Sequence, residues 1–180
     1  MIPGVLPALA LLMPVTMSGG LRLENPDDAA PAIVGVLLDT RVLILPDAYV
    51  GAELTYGGGW DDRNPEVVRV MGKGEIAASL GWRPILDDTF FAEVGGRIGL
   101  HHVDGWARGA LPSLMAAYGP VLGAEAGVGG FLVQPWGHPF GLELRAGYDR
   151  LRIDGAWVGA PVVGLFALGQ LLPEPGTAPD

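Results

Sequence analysis

Six stretches of this chain alternate between an aliphatic side and a charge-bearing side, and that period of two calls for extended backbone. In Ala48–Tyr56, the residues Ala48, Val50, Ala52, Leu54 and Tyr56 share one face, with Tyr49, Gly51, Glu53 and Thr55 on the other. In Gly74–Arg83, Ile76, Ala78, Leu80 and Trp82 oppose Glu75, Ser79, Gly81 and Arg83. Thr89–His101 sets Phe90, Ala92, Val94, Ile98 and Leu100 against Glu93, Gly95, Arg97 and Gly99. The pattern recurs in Ile33–Leu45, Gly119–Phe131 and Phe140–Asp149. Successive side chains of a strand point to opposite faces, whereas a helix brings residues three and four apart together. Eleven charged residues lie in these stretches: Asp39, Arg41, Glu53, Glu75, Arg83, Glu93, Arg97, Glu125, Glu143, Arg145 and Asp149. Each opposes most of the Leu, Val and Ile of its stretch. A helix would scatter them.

Alternation leaves open which face is inside. A soluble sandwich or lipocalin-like barrel turns its apolar face inward, while a membrane barrel turns it to lipid and keeps charge within. Composition enters at this point. The charge-bearing face is rich in glycine (Gly35, Gly51, Gly81, Gly95, Gly99, Gly123, Gly127, Gly129, Gly141 and Gly147). A watered surface would carry Lys, Glu and Thr, whereas a narrow lumen needs a small residue beside each long one. Lys73 is the only lysine in 180 residues, which is sparse for a soluble surface. Both features place charge inside and aliphatic groups outside.

Spanning helices fit poorly. The uncharged stretch Gly109–Ala124 holds Pro112, Gly119, Pro120 and Gly123, and Gly155–Pro173 holds five glycines and prolines before its end, against helix propensity. With 11 basic against 20 acidic residues, no nucleic-acid partner is expected, because neutralising phosphates takes clustered Lys and Arg. The absence of Cys removes disulfide frameworks and thiolate metal sites.

Pro46-Asp47, Leu86-Asp87-Asp88 and Gln134–His138 read as short turns at one end. Gly57–Pro65, Val103–Ala117 and Asp154-Gly155 read as connections at the other, mostly longer, end. On that map Tyr49, Trp82, Phe90, Phe91, Phe131, Trp136 and Phe140 form one aromatic belt. Tyr56, Trp60, Trp106, Tyr118, Tyr148 and Trp157 form a second. Two belts around an aliphatic band are what membrane interfaces select. Trp157–Leu172 supplies a last strand and Gly19–Asn25 a first. The predicted fold is an all-β, eight-stranded antiparallel up-and-down transmembrane β-barrel over residues 18–172. An apolar segment, residues 1–17, precedes it, with no Lys or Arg before Arg22 and three prolines; it reads either as an atypical signal peptide or as part of a chain that starts further upstream, export being the favoured reading. A Pro-rich tail, residues 173–180, follows.

Eight such strands, with glycine-rich stretches such as Val50-Gly51-Ala52-Glu53-Leu54-Thr55-Tyr56-Gly57 and Gly141-Leu142-Glu143-Leu144-Arg145-Ala146-Gly147-Tyr148, resemble the small outer-membrane β-barrel proteins of Gram-negative bacteria, the OmpA/OmpX-type transmembrane barrel. The resemblance implies a protein of the cell outer membrane, in contact with the lipid bilayer and lipopolysaccharide. Its expected role is structural or an interaction through the outer loops, without catalysis or cofactor. A closed barrel offers no edge to pair, so a monomer is expected. Such proteins usually end in an aromatic residue, whereas the last strand here ends on Leu171-Leu172.

The inward set Glu53, Glu75, Glu93, Arg97, Glu125, Glu143 and Arg145 is expected to form a structural salt-bridge network. An eight-stranded lumen is just wide enough for side chains to fill, and buried charges persist there when paired and hydrogen-bonded. No open pore is predicted. His101-His102 and Asp104 invite a metal or acid–base reading, but adjacent residues face opposite sides, and the nearest serine, Ser113, lies in a loop. Asp27, Asp28, Asp61, Asp62, Asp104 and Asp154 match no calcium-loop spacing. Gly57-Gly58-Gly59 lacks the Lys-Ser/Thr of a phosphate cradle. No catalytic, cofactor-binding or metal residue is predicted. Two other readings stay open: a soluble lipocalin-like barrel holding a small hydrophobic ligand, and a lipid-modifying outer-membrane enzyme.

Overall fold

The computed structural model describes residues 14–26, 32–45, 47–64, 67–87, 89–108, 115–133, 138–153 and 155–171. Within them run eight strands: β1 (Val15–Glu24), β2 (Ile33–Leu43), β3 (Ala48–Asn64), β4 (Val67–Trp82), β5 (Phe90–Arg108), β6 (Met115–Val133), β7 (Phe140–Ile153) and β8 (Ala156–Leu171). Each pairs antiparallel with its neighbours in chain order, and β1 pairs with β8 to close the barrel. Closure matters energetically, since hydrocarbon offers no partner for an open edge.

The ladder climbs as it goes round. From Glu24 the paired positions run through Val162, Gly147, Glu125, Gly95, Gly81, Tyr49 and Leu43. Leu43 then donates its amide to Pro14 O at 3.2 Å. One circuit therefore descends β1 from residue 24 to residue 14. Stagger and strand tilt are linked in a closed barrel, with tilts of about 35–45°.

The aliphatic face points out. Leu21, Val36, Leu38, Leu54, Ile76, Leu80, Val94, Ile98, Leu100, Val128, Leu144 and Leu165 are all exposed by 51% or more, whereas all eleven charged residues of the alternating stretches are exposed by 8% or less. A lipocalin-like arrangement, with these aliphatic groups around a central cavity, is not the one found.

The strands differ from expectation in length and in three inward rings. Gly57–Pro65 and Val103–Ala117 were expected as loops, yet β3 continues to Asn64 and β5 to Arg108, with β6 starting at Met115. Glycine-rich composition suggests turns, but the β3–β4 ladder passes through Gly57↔Lys73, Gly58↔Gly72 and Gly59↔Met71 without a break. Likewise Val15–Met17, expected in the segment 1–17, are the first residues of β1, paired on both sides. Residues 1–13, which hold most of that segment, and residues 172–180, which hold the tail, lie outside the described residues. Tyr49 and Phe91, expected in the turn-end belt, are each 1% exposed and point inward. Phe131 follows them, its ring 5.7 Å from that of Phe91. Trp82, Phe90 and Phe140 do face outward near that end, and Tyr56, Tyr118, Tyr148 and Trp157 face outward near the other. Of Trp60, Trp106 and Trp136 the side chains lie outside the described residues.

Candidate functional site

The lumen is built from the odd positions of β2 to β7 and the even positions of β1 and β8. It is layered. Near the turn end, three rings sit where other strands supply glycine. The ring of Tyr49 on β3 fills the space a Cβ would take at Gly81 on β4 and at Gly95 on β5, where the Tyr49 hydroxyl would lie 2.5 Å away. Phe91 on β5 covers Gly129 on β6, and Phe166 on β8 covers Gly164 on its own strand and Gly20 on β1.

Above and among these rings lie the charges. Arg41 on β2 reaches Asp39 at 2.6 Å, Glu125 at 2.9 Å and Glu53 at 3.8 Å, and it also pairs with Glu93. Arg145 on β7 reaches Glu143 at 2.8 Å and Asp39 at 2.9 Å. Arg83, just past β4, meets Glu93 at 2.6 Å and Glu143 at 3.6 Å. Their guanidinium carbons stand over the rings, Arg41 4.4 Å from Tyr49, Arg83 4.6 Å from Phe91 and Arg145 4.5 Å from Phe166. Such stacking stabilises a desolvated cation on its ring quadrupole. The Tyr49 hydroxyl donates to Glu93 at 3.2 Å.

A second group lies higher. Arg97 on β5 pairs with Glu75 at 2.6 Å, with Glu53 at 3.1 Å and with Asp149. Arg22 also pairs with Asp149, and Lys73 reaches Glu24 at 2.5 Å and Glu75 at 2.8 Å. Glu53 stands between Arg41 and Arg97 and so links the two groups. Toward the outer rim the lining turns aliphatic: Ile33, Met71 and Val103 form one cluster, and Val121, Leu151 and Ala160 another.

All seven residues expected in the lumen face it, and each takes part in at least one ion pair with another buried group. The expected set is incomplete, because the lumen also holds Arg22, Glu24, Asp39, Arg41, Lys73, Arg83 and Asp149. All but Lys73 lie on the charge-bearing side of an alternating stretch, Arg22 and Glu24 opposite Leu21 and Leu23 in the predicted first strand. Lys73 sits two positions before Glu75, on the same face, but beyond the stretch whose alternation is clear. Among the described residues, eight inward carboxylates meet six inward cations.

The histidines part company as strand geometry requires. His101 points inward and its Nε2–H donates to Arg152 O at 3.1 Å. His102 points outward, hydrogen-bonded through Nε2 to Asp104 at 2.8 Å and packed edge-on against Tyr118 at 4.1 Å between ring centroids. Among the described residues, no group of three or more His, Asp or Glu has a metal-binding arrangement. Ser113 lies outside the described residues.

No protein-family model matches this chain, and no curated protein matches it in sequence. Solved structures do match in fold. Ail, the attachment invasion locus protein of Yersinia pestis, aligns with a TM-score of 0.60 at 14% identity, covering 88% of this chain and 99% of Ail. Neisserial surface protein A aligns at 0.55 and 15% identity, covering 88% and 96% respectively. The outer membrane protein OprG of Pseudomonas aeruginosa aligns at 0.54 and 12% identity, covering 89% and 96%. With strand number, closure, inward charge and outward aliphatics already established, the fold of this chain is that of the small outer-membrane eight-stranded β-barrels.

Proposed function

We propose that the protein is an integral barrel of a Gram-negative outer membrane, lodged as a monomer in the lipid bilayer beside lipopolysaccharide. Its lumen is closed by side chains, and its role is structural or an interaction through the outer loops, without catalysis or cofactor. The observation that carries this reading is the division of faces. Among the described residues, fourteen charged side chains are buried in the lumen, and the outward face is largely aliphatic with aromatics toward both ends. In water that division would be unfavourable on both counts, whereas in a bilayer it is the stable arrangement. The inward ion pairs are structural in this reading: each removes the desolvation cost that a lone charge would impose on a narrow, low-dielectric lumen. Between Arg22, Glu125, Arg145 and Phe166 lies a cavity of about 10 Å³, room for about one water.

Two experiments test the reading. The protein should require detergent and migrate differently on gels when unheated and boiled. Purified protein in planar bilayers should give no large, stable conductance. A chain that stays monomeric in plain buffer and binds an apolar fluorophore internally would sink the membrane reading. A steady open channel would sink the closed lumen.

A further inference from the structure

The outward face of β7 reads, from the turn end upward, Phe140, Leu142, Leu144, Ala146, Tyr148, Arg150, Arg152, and all seven are exposed. Aliphatic residues give way to a tyrosine and then to two arginines. Among the residues whose side chains are described, every other Arg and the single Lys are buried. Among the described side chains these two are therefore the exposed cations, in a chain whose net charge is −9.

Among the described residues, their neighbours across the ladder are uncharged. Arg150 is paired with Leu122 on β6 and Gly159 on β8, and Arg152 with Trp157 on β8. Continuing the register from Val121↔Leu151 places Pro120 beside Arg152. Tyr148 below and Trp157 alongside set the pair within the outer aromatic belt, at the boundary between hydrocarbon and headgroups. Residues two apart on a strand stand about 6.6–7 Å apart, so the two guanidinium groups share one anion within easy reach. The strand that presents them is fixed from inside, by the His101 bond to Arg152 O at 3.1 Å and by Leu151 packed with Val121 and Ala160.

We propose that Arg150 and Arg152 form a binding site for the phosphate group of an outer-leaflet lipid. This rests on the outer-membrane reading and names a ligand for its lipid-facing surface. Guanidinium matches phosphate oxygens in bidentate fashion, and two like charges on an apolar surface are relieved by an anion between them. The occupant is a membrane lipid, because the site opens sideways at headgroup level above an aliphatic face.

The full chain, folded in zwitterionic detergent, is titrated with lipid A and with lipid A stripped of its phosphates, and bound lipid is counted by native mass spectrometry. The phosphorylated lipid is expected to bind preferentially. Arg150→Gln should weaken it about fivefold and the Arg150→Gln/Arg152→Gln pair about 25- to 30-fold, at about one Coulombic contact per cation. The corresponding double Lys variant should weaken it by an intermediate factor, since it keeps the charge and loses the bidentate fork. Millimolar inorganic phosphate should not compete. Equal binding of the two lipids, wild-type binding by the double Gln variant, or displacement by free phosphate would each overturn the proposal. Failure of the chain to fold in detergent would instead remove the membrane reading itself, and the boiled-versus-unheated gel distinguishes that case.

Discussion

Replacing Arg97 by Met removes the cation that serves three carboxylates. Arg97 lies 2.6 Å from Glu75 and 3.1 Å from Glu53, and pairs with Asp149 as well. Two of those partners keep another cation: Glu75 retains Lys73 at 2.8 Å, and Asp149 retains Arg22. Glu53 is left with Arg41 at 3.8 Å, beyond hydrogen-bond reach, and it is 2% exposed. Removing one member of a buried ion pair typically costs about 3–5 kcal/mol, because the remaining charge is desolvated without compensation. Urea unfolding in detergent micelles, followed by tryptophan fluorescence, should show a loss of that size for Arg97→Met. Adding Glu53→Gln makes the orphan neutral, and the double variant should recover at least about 1 kcal/mol of it. A loss below about 1 kcal/mol with no recovery would place Arg97 in water, where exposed pairs contribute that little, and would refute a dry, side-chain-filled lumen.

Three further outcomes follow from the same geometry. Gly95→Ala should destabilise by about 1–3 kcal/mol as overpacking against the Tyr49 ring, and Tyr49→Leu in that background should relieve part of the loss in the same urea assay. Leu54→Arg, on the lipid face, should cost up to about 2–4 kcal/mol when folding is measured in vesicles; a neutral effect would place Leu54 outside the hydrocarbon. In the turn before β5, the amides of Thr89 and Phe90 both donate to Asp87 Oδ1 at 2.7 Å, and these bonds hold its carboxyl below the usual range. A depressed folded-state pKa means that this contribution is complete above the unfolded value of about 3.9 and fades as pH falls through the folded one. A carboxyl NMR titration with an Asp87 midpoint at or above that value would contradict the bonding.

The barrel was readable because charge and oil alternate at a period only a strand can sort, and because lipid forces the two faces to stay pure. Glu53, Glu93 and Arg145 could be placed from local pattern alone. Who pairs with whom could not, since Arg41 meets Glu93 and Glu125 across strands whose register follows from closure. Tyr49 shows the same limit. Its position in the alternation marks it as inward, but the room for its ring is made by Gly81 and Gly95 on two other strands, and its nearness to a turn suggested the belt. The outer extensions of β3 to β6 were hidden for a different reason. Glycines carry no alternation, so Gly57, Gly58 and Gly59 look like a turn until Lys73, Gly72 and Met71 are seen opposite them. The aliphatic layer of Ile33, Met71 and Val103 likewise comes from three strands that only the folded register brings together.

The direction in which the aliphatic face points decides the rest, and the lack of native cysteine makes it directly measurable. Single cysteines at Leu54, Ile98 and Leu144, and at Thr55 and Ser79 on the opposite face, can carry spin labels in vesicles. The labels at Leu54, Ile98 and Leu144 should collide with lipid-dissolved oxygen and not with a water-soluble nickel complex, while those at Thr55 and Ser79 should be shielded from both. Labels at Leu54 and Leu144 shielded in a protein interior, with Thr55 open to the nickel complex, would reverse the barrel and contradict the membrane assignment.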